Sequence, residues 1–291
     1  MTRAKLSLQG LSVGDAFGQR FFVGNEEKAL QLIDGRREPP APWEYTDDTE
    51  MALSIVEILS RHEAIEQDEL VRHFAFRMQE RRAYGQGASS LLRKVKSGRD
   101  WRALSQAGFG GHGSFGNGAA MRVSPLGGYF AESPLEKVID QARLSAEVTH
   151  AHHEGIAGAI AVAVAAALAW RRQDEESLGS DWLCAVRDAT PAGYVRDGIH
   201  EALELSTDRS IYDAAVQLGN GSGISAADTV PLCLWIAARA RDFENTMWET
   251  VSALGDRDTT CAIVGGIVVL KFGASSIPQR WLEAREALPT D

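Results

Sequence analysis

Two clusters of acidic and hydroxyl residues in this sequence have the composition of a cation site. Residues 46–49 read Thr-Asp-Asp-Thr and residues 256–260 read Asp-Arg-Asp-Thr-Thr, and each cluster directly precedes an apolar helical pattern. Adjacent carboxylates repel each other unless a helix N-terminus or a metal ion lies between them. Helix capping explains either cluster alone, because aspartate and threonine are common helix starters. Together the clusters offer only oxygen ligands, which favours one or two magnesium, manganese or calcium ions and argues against zinc.

A glycine-rich stretch between residues 108 and 118 is the second candidate site segment. It holds six glycines in eleven residues. Its GxGxxG pattern lacks the preceding strand of a dinucleotide fold, and no Walker lysine follows, so neither nucleotide motif applies. Glycines without a Cβ do allow backbone N–H groups to approach an anion closely. The stretch therefore predicts either a diphosphate-binding loop or a flexible connector.

Three histidines, His150, His152 and His153, stand together and are followed by Glu154. The spacing differs from the HExxH pattern of zinc hydrolases, and no cysteine accompanies it, which argues against a zinc site. Two alternatives remain open. The histidines form a solvated turn between two helices, or one of them, with Glu154 nearby, hydrogen-bonds a polar ligand.

Helical periodicity indicates the elements that must position these residues. Met51, Ile55 and Leu59 recur at spacings of four, as on one face of a helix, and similar patterns recur along the chain without any alternating strand pattern. The apolar run of residues 156–170 predicts a buried core helix, because it is shorter than the roughly 20 residues of a membrane span. The prolines of residues 35–44 predict a loop. We therefore expect an all-α fold in a single domain spanning residues 1–291.

Two further helix starts are expected from proline positions. Ser133 precedes Pro134, and Asp228 and Thr229 precede Pro231. Proline is favoured at the first position of a helix, directly after a capping side chain. We therefore expect helices to begin at Pro134 and close to Pro231.

Composition excludes several classes of protein. The 291 residues are 44% hydrophobic, which is enough to bury a core and excludes intrinsic disorder. The formal net charge is −10, the wrong sign for binding duplex nucleic acid. Three widely spaced cysteines argue against a disulfide framework. With no secretory signal and no membrane span in the sequence, we expect a monomeric cytoplasmic protein.

Six segments together resemble the ADP-ribosylglycohydrolase family, which includes the dinitrogenase reductase-activating glycohydrolase. The most specific are Tyr-Thr-Asp-Asp-Thr-Glu-Met-Ala-Leu at residues 45–53 and Gly-Asp-Arg-Asp-Thr-Thr-Cys-Ala-Ile-Val-Gly-Gly at residues 255–266. The others are Gly-Leu-Ser-Val-Gly-Asp-Ala-Phe-Gly at 10–18, Gly-Asn-Gly-Ala-Ala-Met-Arg-Val-Ser-Pro-Leu-Gly at 116–127, Thr-His at 149–150 and Asp-Thr-Val-Pro at 228–231. The segments occur in the family's order and cover nearly the whole chain.

The resemblance implies an all-α orthogonal bundle that holds two Mg²⁺ or Mn²⁺ ions and hydrolyses the bond between ADP-ribose and an acceptor. The implied partner is ADP-ribose or an ADP-ribosylated substrate. The implied metal ligands are Thr46, Asp47, Asp48, Asp256, Asp258 and Thr259. The implied substrate-binding residues are Gly113, Ser114, Phe115, Gly116, Asn117 and Gly118, with His150 lining the same cleft. Our mechanistic hypothesis is that Asp47 or Asp258 accepts the proton of the attacking water.

The sequence departs from the family at two places. Arg257 stands between two expected metal ligands, where the family usually has a small residue, and it could point away from the ions or lie near them and weaken their binding. Residues 20–44, with aromatic and acidic side chains, match no family motif and are a candidate lid that sets the acceptor. The acceptor itself stays open. Two alternative functions also remain: a non-catalytic ADP-ribose-binding or crystallin-like protein, and a metal-dependent nucleotide-diphosphate phosphoesterase.

Overall fold

The chain folds almost entirely into helices. The structure, a computed structural model, describes residues 1–206 and 208–289. Within those residues it contains sixteen α-helices, three short 3₁₀ turns and no β-strand, which confirms the expected all-α fold. The helices are α1 Thr2–Gln19, α2 Glu26–Asp34, α3 Asp47–His62, α4 Gln67–Arg77, α5 Gln86–Lys96, α6 Trp101–Gly111, α7 Ser124–Tyr129, α8 Leu135–Glu147, α9 His153–Arg171, α10 Gly179–Ala189, α11 Tyr194–Glu204, α12 Ile211–Leu218, α13 Ala226–Arg239, α14 Phe243–Ser252, α15 Arg257–Phe272 and α16 Gln279–Ala284.

Helices α1 and α15 pack with their backbones almost in contact. Gly10, Gly14 and Gly18 recur every four residues along one face of α1. A Cβ on any of them would lie 2.1 to 2.3 Å from a carbonyl oxygen of α15. That separation is far inside van der Waals contact, so only glycine permits this approach. The close packing brings Asp15 of α1 beside the N-terminus of α15, where the second acidic cluster lies.

Helix α9 lies at the centre of the fold. Its side chains from Ala157 to Ala169 are all buried, and it packs against α7, α8, α13 and α15. The helix is long and apolar enough to cross a membrane, but 83% of its most apolar window is buried inside the protein. This confirms the buried core helix expected for residues 156–170.

An aromatic cluster anchors both ends of the segment 20–44. Phe21 and Trp43 are fully or almost fully buried and pack around Phe17, whose ring lies 5.0 Å from that of Phe21 and 5.6 Å from that of Trp43. Trp281 stacks on Phe17 with their ring centroids 4.5 Å apart, and its own centroid lies 5.8 Å from that of Trp43. Between the anchors the chain forms α2 and then the loop expected from the prolines of residues 35–44.

The two helix starts expected from proline are wrong. Helix α8 begins at Leu135, with Pro134 in the capping position and no side-chain cap. Helix α13 begins at Ala226, where Ser225 Oγ accepts a hydrogen bond from the Asp228 N–H, so Pro231 lies inside the helix. Serine at the capping position offers its oxygen to the free N–H groups of the first turn, and this outweighs the single backbone hydrogen bond lost at the proline.

Candidate active site

The two acidic clusters lie at the N-termini of two helices that meet at one cavity. Residues 46–48 begin α3 and residues 256–259 begin α15. The cavity has a volume of about 810 Å³, and its lining from these clusters comprises Asp47, Asp48, Asp256, Asp258 and Thr259. Thr46 is the expected ligand outside this lining; its side chain is buried, and its hydroxyl hydrogen-bonds to Asp48 Oδ2 at 2.8 Å. Clusters distant in sequence thus form one acidic surface.

A wider groove of about 1210 Å³ lies elsewhere, between α1, α3 and residues 282–289. Glu57, a carboxylate in its lining, forms ion pairs with Arg61 and with Arg77. Paired charges at a surface do not attract a ligand as an unpaired cluster does. The smaller cavity therefore holds the candidate active site.

Asp15, which the sequence did not single out, holds the first acidic cluster in place. Its carboxylate accepts hydrogen bonds from the backbone N–H and the hydroxyl of Thr46 and from the same two groups of Thr49. Asp15 is fully buried, so these four donors replace its hydration shell. The available sequence signal was a single carboxylate in the otherwise apolar segment 10–18. Asp15 fixes how α3 presents its first turn to the cavity.

Buried carboxylates crowd together at the cavity floor. Burial raises the pKa of Asp15 to about 6, and burial together with repulsion from Asp15 and Asp256 raises the pKa of Asp47 to about 8. Burial and the neighbouring aspartates also raise the pKa of Asp48 and of Asp258 well above the usual range. Such shifts mark negative charge that the protein itself does not compensate.

The donor chemistry of this cluster fits a divalent cation. Across residues 1–206 and 208–289, no three His, Cys, Asp or Glu side chains already have the spacing of a metal site. However, Asp48 Oδ1 is buried and has no hydrogen-bond partner in that part of the chain. A buried carboxylate oxygen without a donor is costly unless a positive charge approaches it. Oxygen-only ligands of this kind suit Mg²⁺ and Mn²⁺.

The glycine-rich stretch forms a further part of the cavity wall and contacts the second acidic cluster. The lining includes Ser114, Phe115, Gly116, Asn117 and Gly118. Gly113 lies outside it and packs on the backbone of residues 151–152, where its φ of +75° and the absence of a Cβ are both required. The Asn117 side-chain N–H donates to Asp256 Oδ2 at 2.8 Å and to the hydroxyl of Thr229 at 3.1 Å. This contact links the glycine-rich wall to the acidic cluster.

The three neighbouring histidines have different roles. His150 is buried at the cavity wall, and burial together with the Arg122 guanidinium lowers its pKa to about 3, so the ring is neutral. His152 caps α9, since its Nδ1 accepts a hydrogen bond from the Glu154 N–H. His153 is exposed and its Nε2 lies 3.2 Å from a Glu154 carboxylate oxygen. Of the two alternatives that the sequence left open, the helix-capping turn applies to His152, and only His150 lines the cavity.

Arg257 points away from the cavity floor. Its guanidinium donates to the carbonyl oxygen of Phe21 at 2.7 Å and lies over the Phe22 ring at 4.8 Å. The nearby Glu26 carboxylate attracts it electrostatically, which opposes the fall in its pKa that burial causes. Of the two positions considered for Arg257, the structure has the one directed away from the expected metal ligands.

Several known proteins are similar to this chain over nearly its whole length. The family model described as ADP-ribosylglycohydrolase matches residues 1–290. ADP-ribosylhydrolase ARH3 of Bos taurus is 30% identical over 318 residues, covering 96% of this chain and 86% of the relative. An uncharacterized protein of Archaeoglobus fulgidus is 32% identical over 285 residues, covering 94% and 88%. A solved structure titled "ADP-ribosylglycohydrolase-related protein complex" superposes with a TM-score of 0.69 at 25% identity, covering 98% of this chain and 94% of the other.

Proposed function

Because this chain belongs to the ADP-ribosylglycohydrolase family, we propose that it is a metal-dependent hydrolase that cleaves the glycosidic bond between ADP-ribose and an acceptor. The observation that carries the proposal is the shared cavity: carboxylates from two helix N-termini, whose pKa values are raised by burial and mutual repulsion, line it together with a glycine-rich wall. One side suits cations and the sugar, and the other suits a diphosphate.

Two Mg²⁺ or Mn²⁺ ions are the proposed cofactors. The residues that would hold them are Thr46, Asp47, Asp48, Asp256, Asp258 and Thr259. Such ions supply Lewis-acid chemistry, polarising oxygen atoms that lie beside them. The raised pKa values and the unpartnered Asp48 Oδ1 support this assignment, because both indicate a missing positive charge.

Asp47 and Asp258 are the proposed proton acceptors. Both are partly exposed to the cavity, whereas Asp15 and Asp48 are buried behind them. A carboxylate that reaches the cavity can accept the proton of an attacking water. Negative charge close to the ribose ring also stabilises the positive charge that develops on it as the glycosidic bond breaks.

The glycine-rich wall is proposed to hold the rest of ADP-ribose. Gly116 and Gly118 line the cavity without side chains, so a diphosphate can approach the backbone closely there. The Gly116 N–H donates to Ser114 Oγ and the Asn117 N–H to the Ile224 carbonyl oxygen, and these contacts fix the shape of the loop. Phe109 and Phe115 are half exposed there, with ring centroids 5.4 Å apart, and they offer apolar faces on which a purine can stack. Their position supports a nucleotide as the ligand.

Residues 20–44 are the proposed lid that sets the acceptor. Both ends are anchored in the aromatic cluster, and Arg257 binds the Phe21 carbonyl, while Phe22 between these contacts stays 49% exposed. The two acidic clusters come from distant parts of the sequence, which supports the single domain proposed for residues 1–291. Three free cysteines, Cys184, Cys233 and Cys261, support the proposed cytoplasmic location.

The test is to identify what the protein releases from arginine-linked and serine-linked ADP-ribosyl peptides. Reactions run in Mg²⁺, in Mn²⁺ and with chelator, and mass spectrometry identifies the products. We expect intact ADP-ribose from at least one peptide, only with metal, and none from the Asp258→Asn variant. The exposed Asp174→Asn variant is the matched control and should stay active.

Other products would contradict the proposal. Release of AMP, with the ribose phosphate left on the peptide, would indicate the phosphoesterase instead. Binding of ADP-ribose without cleavage of either peptide, under every metal condition, would favour the non-catalytic alternative.

A further inference from the structure

A buried chain of hydrogen bonds runs behind the glycine-rich wall from Arg122 through Thr149 to His150. Arg122 Nη2 donates to Thr149 Oγ1 at 2.8 Å, and Thr149 Oγ1 lies 2.7 Å from His150 Nδ1. All three side chains are at least nine-tenths buried. Neither the acidic clusters nor the glycine-rich wall explains why these three side chains are hydrogen-bonded to one another.

Arg122 determines which atom is the donor in each of these two hydrogen bonds. A guanidinium only donates hydrogen bonds, so Thr149 Oγ1 must accept from Arg122. The threonine hydroxyl has one proton of its own, and within the described residues its hydrogen-bonding neighbours are Arg122 and His150. Its proton therefore points to His150 Nδ1, which has to be the unprotonated nitrogen of the ring. In a neutral imidazole the proton then lies on Nε2.

The protonated nitrogen faces the ligand side of the wall. A Cβ placed on Gly118 would lie 3.2 Å from His150 Nε2, and one placed on Gly116 would lie 3.5 Å from it. Nε2 makes no hydrogen bond to any described residue, although the His150 ring is 6% exposed. A donor that is almost completely buried and faces a cavity without a partner is available to a ligand oxygen.

We infer that Arg122 and Thr149 are positioning residues that hold His150 in the Nε2–H tautomer, so that the wall presents one fixed N–H donor to an oxygen of the bound ligand. Identifying that ligand as ADP-ribose rests on the proposed function, whereas the tautomer does not. The acceptor on the ligand is a phosphate or ribose oxygen, because Gly116 and Gly118 line the same wall.

Arg122 is suited to this role because its other contacts fix its position. Its guanidinium also donates to the Ser145 carbonyl oxygen at 3.1 Å and lies over the Phe74 ring at 4.5 Å. A lysine could not maintain this planar arrangement with several partners. A neutral polar side chain such as glutamine could also accept a hydrogen bond, and it would then leave the Thr149 proton free to turn away from His150.

The tautomer can be read directly by NMR of protein labelled with ¹⁵N-histidine, without any substrate. Long-range ¹H–¹⁵N correlation distinguishes the protonated from the unprotonated ring nitrogen of His150, and the His150→Gln variant assigns the signals. We expect Nε2–H in the wild type and in Thr149→Ser, which keeps the hydroxyl. Thr149→Val has nearly the same shape but no hydroxyl, and we expect it to populate both tautomers.

Binding of ADP-ribose, measured by calorimetry on the same variants, supplies the functional readout. We expect Thr149→Val to weaken binding about fivefold to tenfold, the size of one neutral hydrogen bond, and Thr149→Ser to bind within about twofold of the wild type. Nδ1–H in the wild type, or an unchanged tautomer in Thr149→Val, overturns the inference. If the wild type has Nε2–H but does not bind ADP-ribose, the positioning of His150 by Arg122 and Thr149 is upheld and the proposed function fails.

Discussion

The Asn117 side-chain amide donates to Asp256 Oδ2 at 2.8 Å, and this hydrogen bond joins the two walls of the cavity. The same amide donates to Thr229 at the start of α13, while the Asn117 backbone N–H donates to the Ile224 carbonyl oxygen. Asn117 is buried, so its geometry is fixed on several sides. Asn117 therefore ties the glycine-rich wall directly to the second acidic cluster.

Replacing Asn117 with alanine should lower both stability and the rate of hydrolysis. The Asn117→Ala variant leaves Asp256 Oδ2 without its donor, and we expect the free energy of unfolding to fall by about 1–3 kcal/mol. Hydrolysis should fall at least tenfold, because the glycine-rich wall is no longer tied to the second acidic cluster. Chemical denaturation and single-turnover kinetics measure the two effects. Ser222→Ala, at an exposed residue of the same region, is the control, and equal rates for the two variants would contradict this role.

Neutralising one buried aspartate should stabilise the metal-free protein while abolishing hydrolysis. Asp48 is buried, and Asp15, Asp258 and Asp47 all oppose its ionisation. The Asp48→Asn variant removes that repulsion, so without metal we expect a gain of about 1–3 kcal/mol in the free energy of unfolding. Thermal denaturation with and without Mg²⁺ measures it, and Mg²⁺ should raise the Tm of the wild type but not that of the variant.

Asp174→Asn is the control for this experiment, because Asp174 is exposed. It should change neither Tm nor the response to Mg²⁺. A metal-free Asp48→Asn protein less stable than the wild type would mean that the cluster is compensated by the protein itself, and the cation assignment would lose its main support.

His150 should make the protein less stable in mild acid. Its pKa is lowered from 6.5 to about 3 in the folded state, so below pH 6.5 the unfolded chain binds a proton that the folded chain does not. The His150 imidazole therefore costs no stability above pH 6.5. Below that pH it lowers the free energy of unfolding by up to about 1.4 kcal/mol per pH unit. Urea denaturation between pH 7.5 and pH 5 should show a shallower decline for His150→Gln. The exposed His200→Gln variant should decline like the wild type, and parallel curves for all three proteins would refute the prediction.

The acidic clusters could be predicted from the sequence, but the residues that organise them could not. The local composition of residues 46–49 and 256–260, directly before helical patterns, is enough to identify both clusters. Asp15 stabilises the first cluster across 31 residues of chain, through hydrogen bonds that no local pattern encodes. Arg122 lies in the segment 116–127 that resembles the family, but the sequence assigned it no role. Its role depends on where the fold places Thr149 and Phe74.

Fold class was likewise predictable, and helix boundaries less so. Helical periodicity is a property of neighbouring residues, so α3 and α9 were recognisable. The start of α8 was misjudged by one residue, because Pro134 takes the capping position itself. The start of α13 was misjudged because Asp228 lies inside the first turn, which Ser225 caps. The orientation of Arg257 depended on the position of the Phe21 carbonyl, which only the packed aromatic cluster defines.

Arg257 should have little effect on metal binding despite its place between two expected ligands. Because the guanidinium binds the Phe21 carbonyl, the Arg257→Gln variant should bind Mg²⁺ within about twofold of the wild type, while stability falls by about 1–2 kcal/mol through the lost hydrogen bond. Calorimetric titration with Mg²⁺ tests this. Arg99→Gln, at an exposed arginine, controls for the change in net charge. Tenfold tighter Mg²⁺ binding by Arg257→Gln, but not by Arg99→Gln, would mean that the Arg257 guanidinium repels the metal ions.

Adding one methyl group at Gly14 should disrupt the site without touching any of its residues. An alanine Cβ there would lie 2.1 Å from the Cys261 carbonyl oxygen, and since that oxygen belongs to helical backbone it cannot move alone. Helix α1 must shift away from α15, at a cost of at least about 2 kcal/mol. Asp15, the next residue, shifts with it, so its hydrogen bonds to Thr46 and Thr49 lengthen. We therefore expect Gly14→Ala to lose Mg²⁺ affinity as well as stability.

Gly87 in α5 offers the matched control for this helix-packing experiment. A Cβ at Gly87 meets nothing closer than 3.8 Å, so Gly87→Ala should leave stability unchanged or raise it by up to about 1 kcal/mol through helix propensity. Urea denaturation and Mg²⁺ titration of both variants compare the two glycines. If Gly14→Ala keeps full Mg²⁺ affinity in the folded protein, the packing of α1 on α15 does not control the acidic cluster, and Asp15 holds α3 independently of the helix pair.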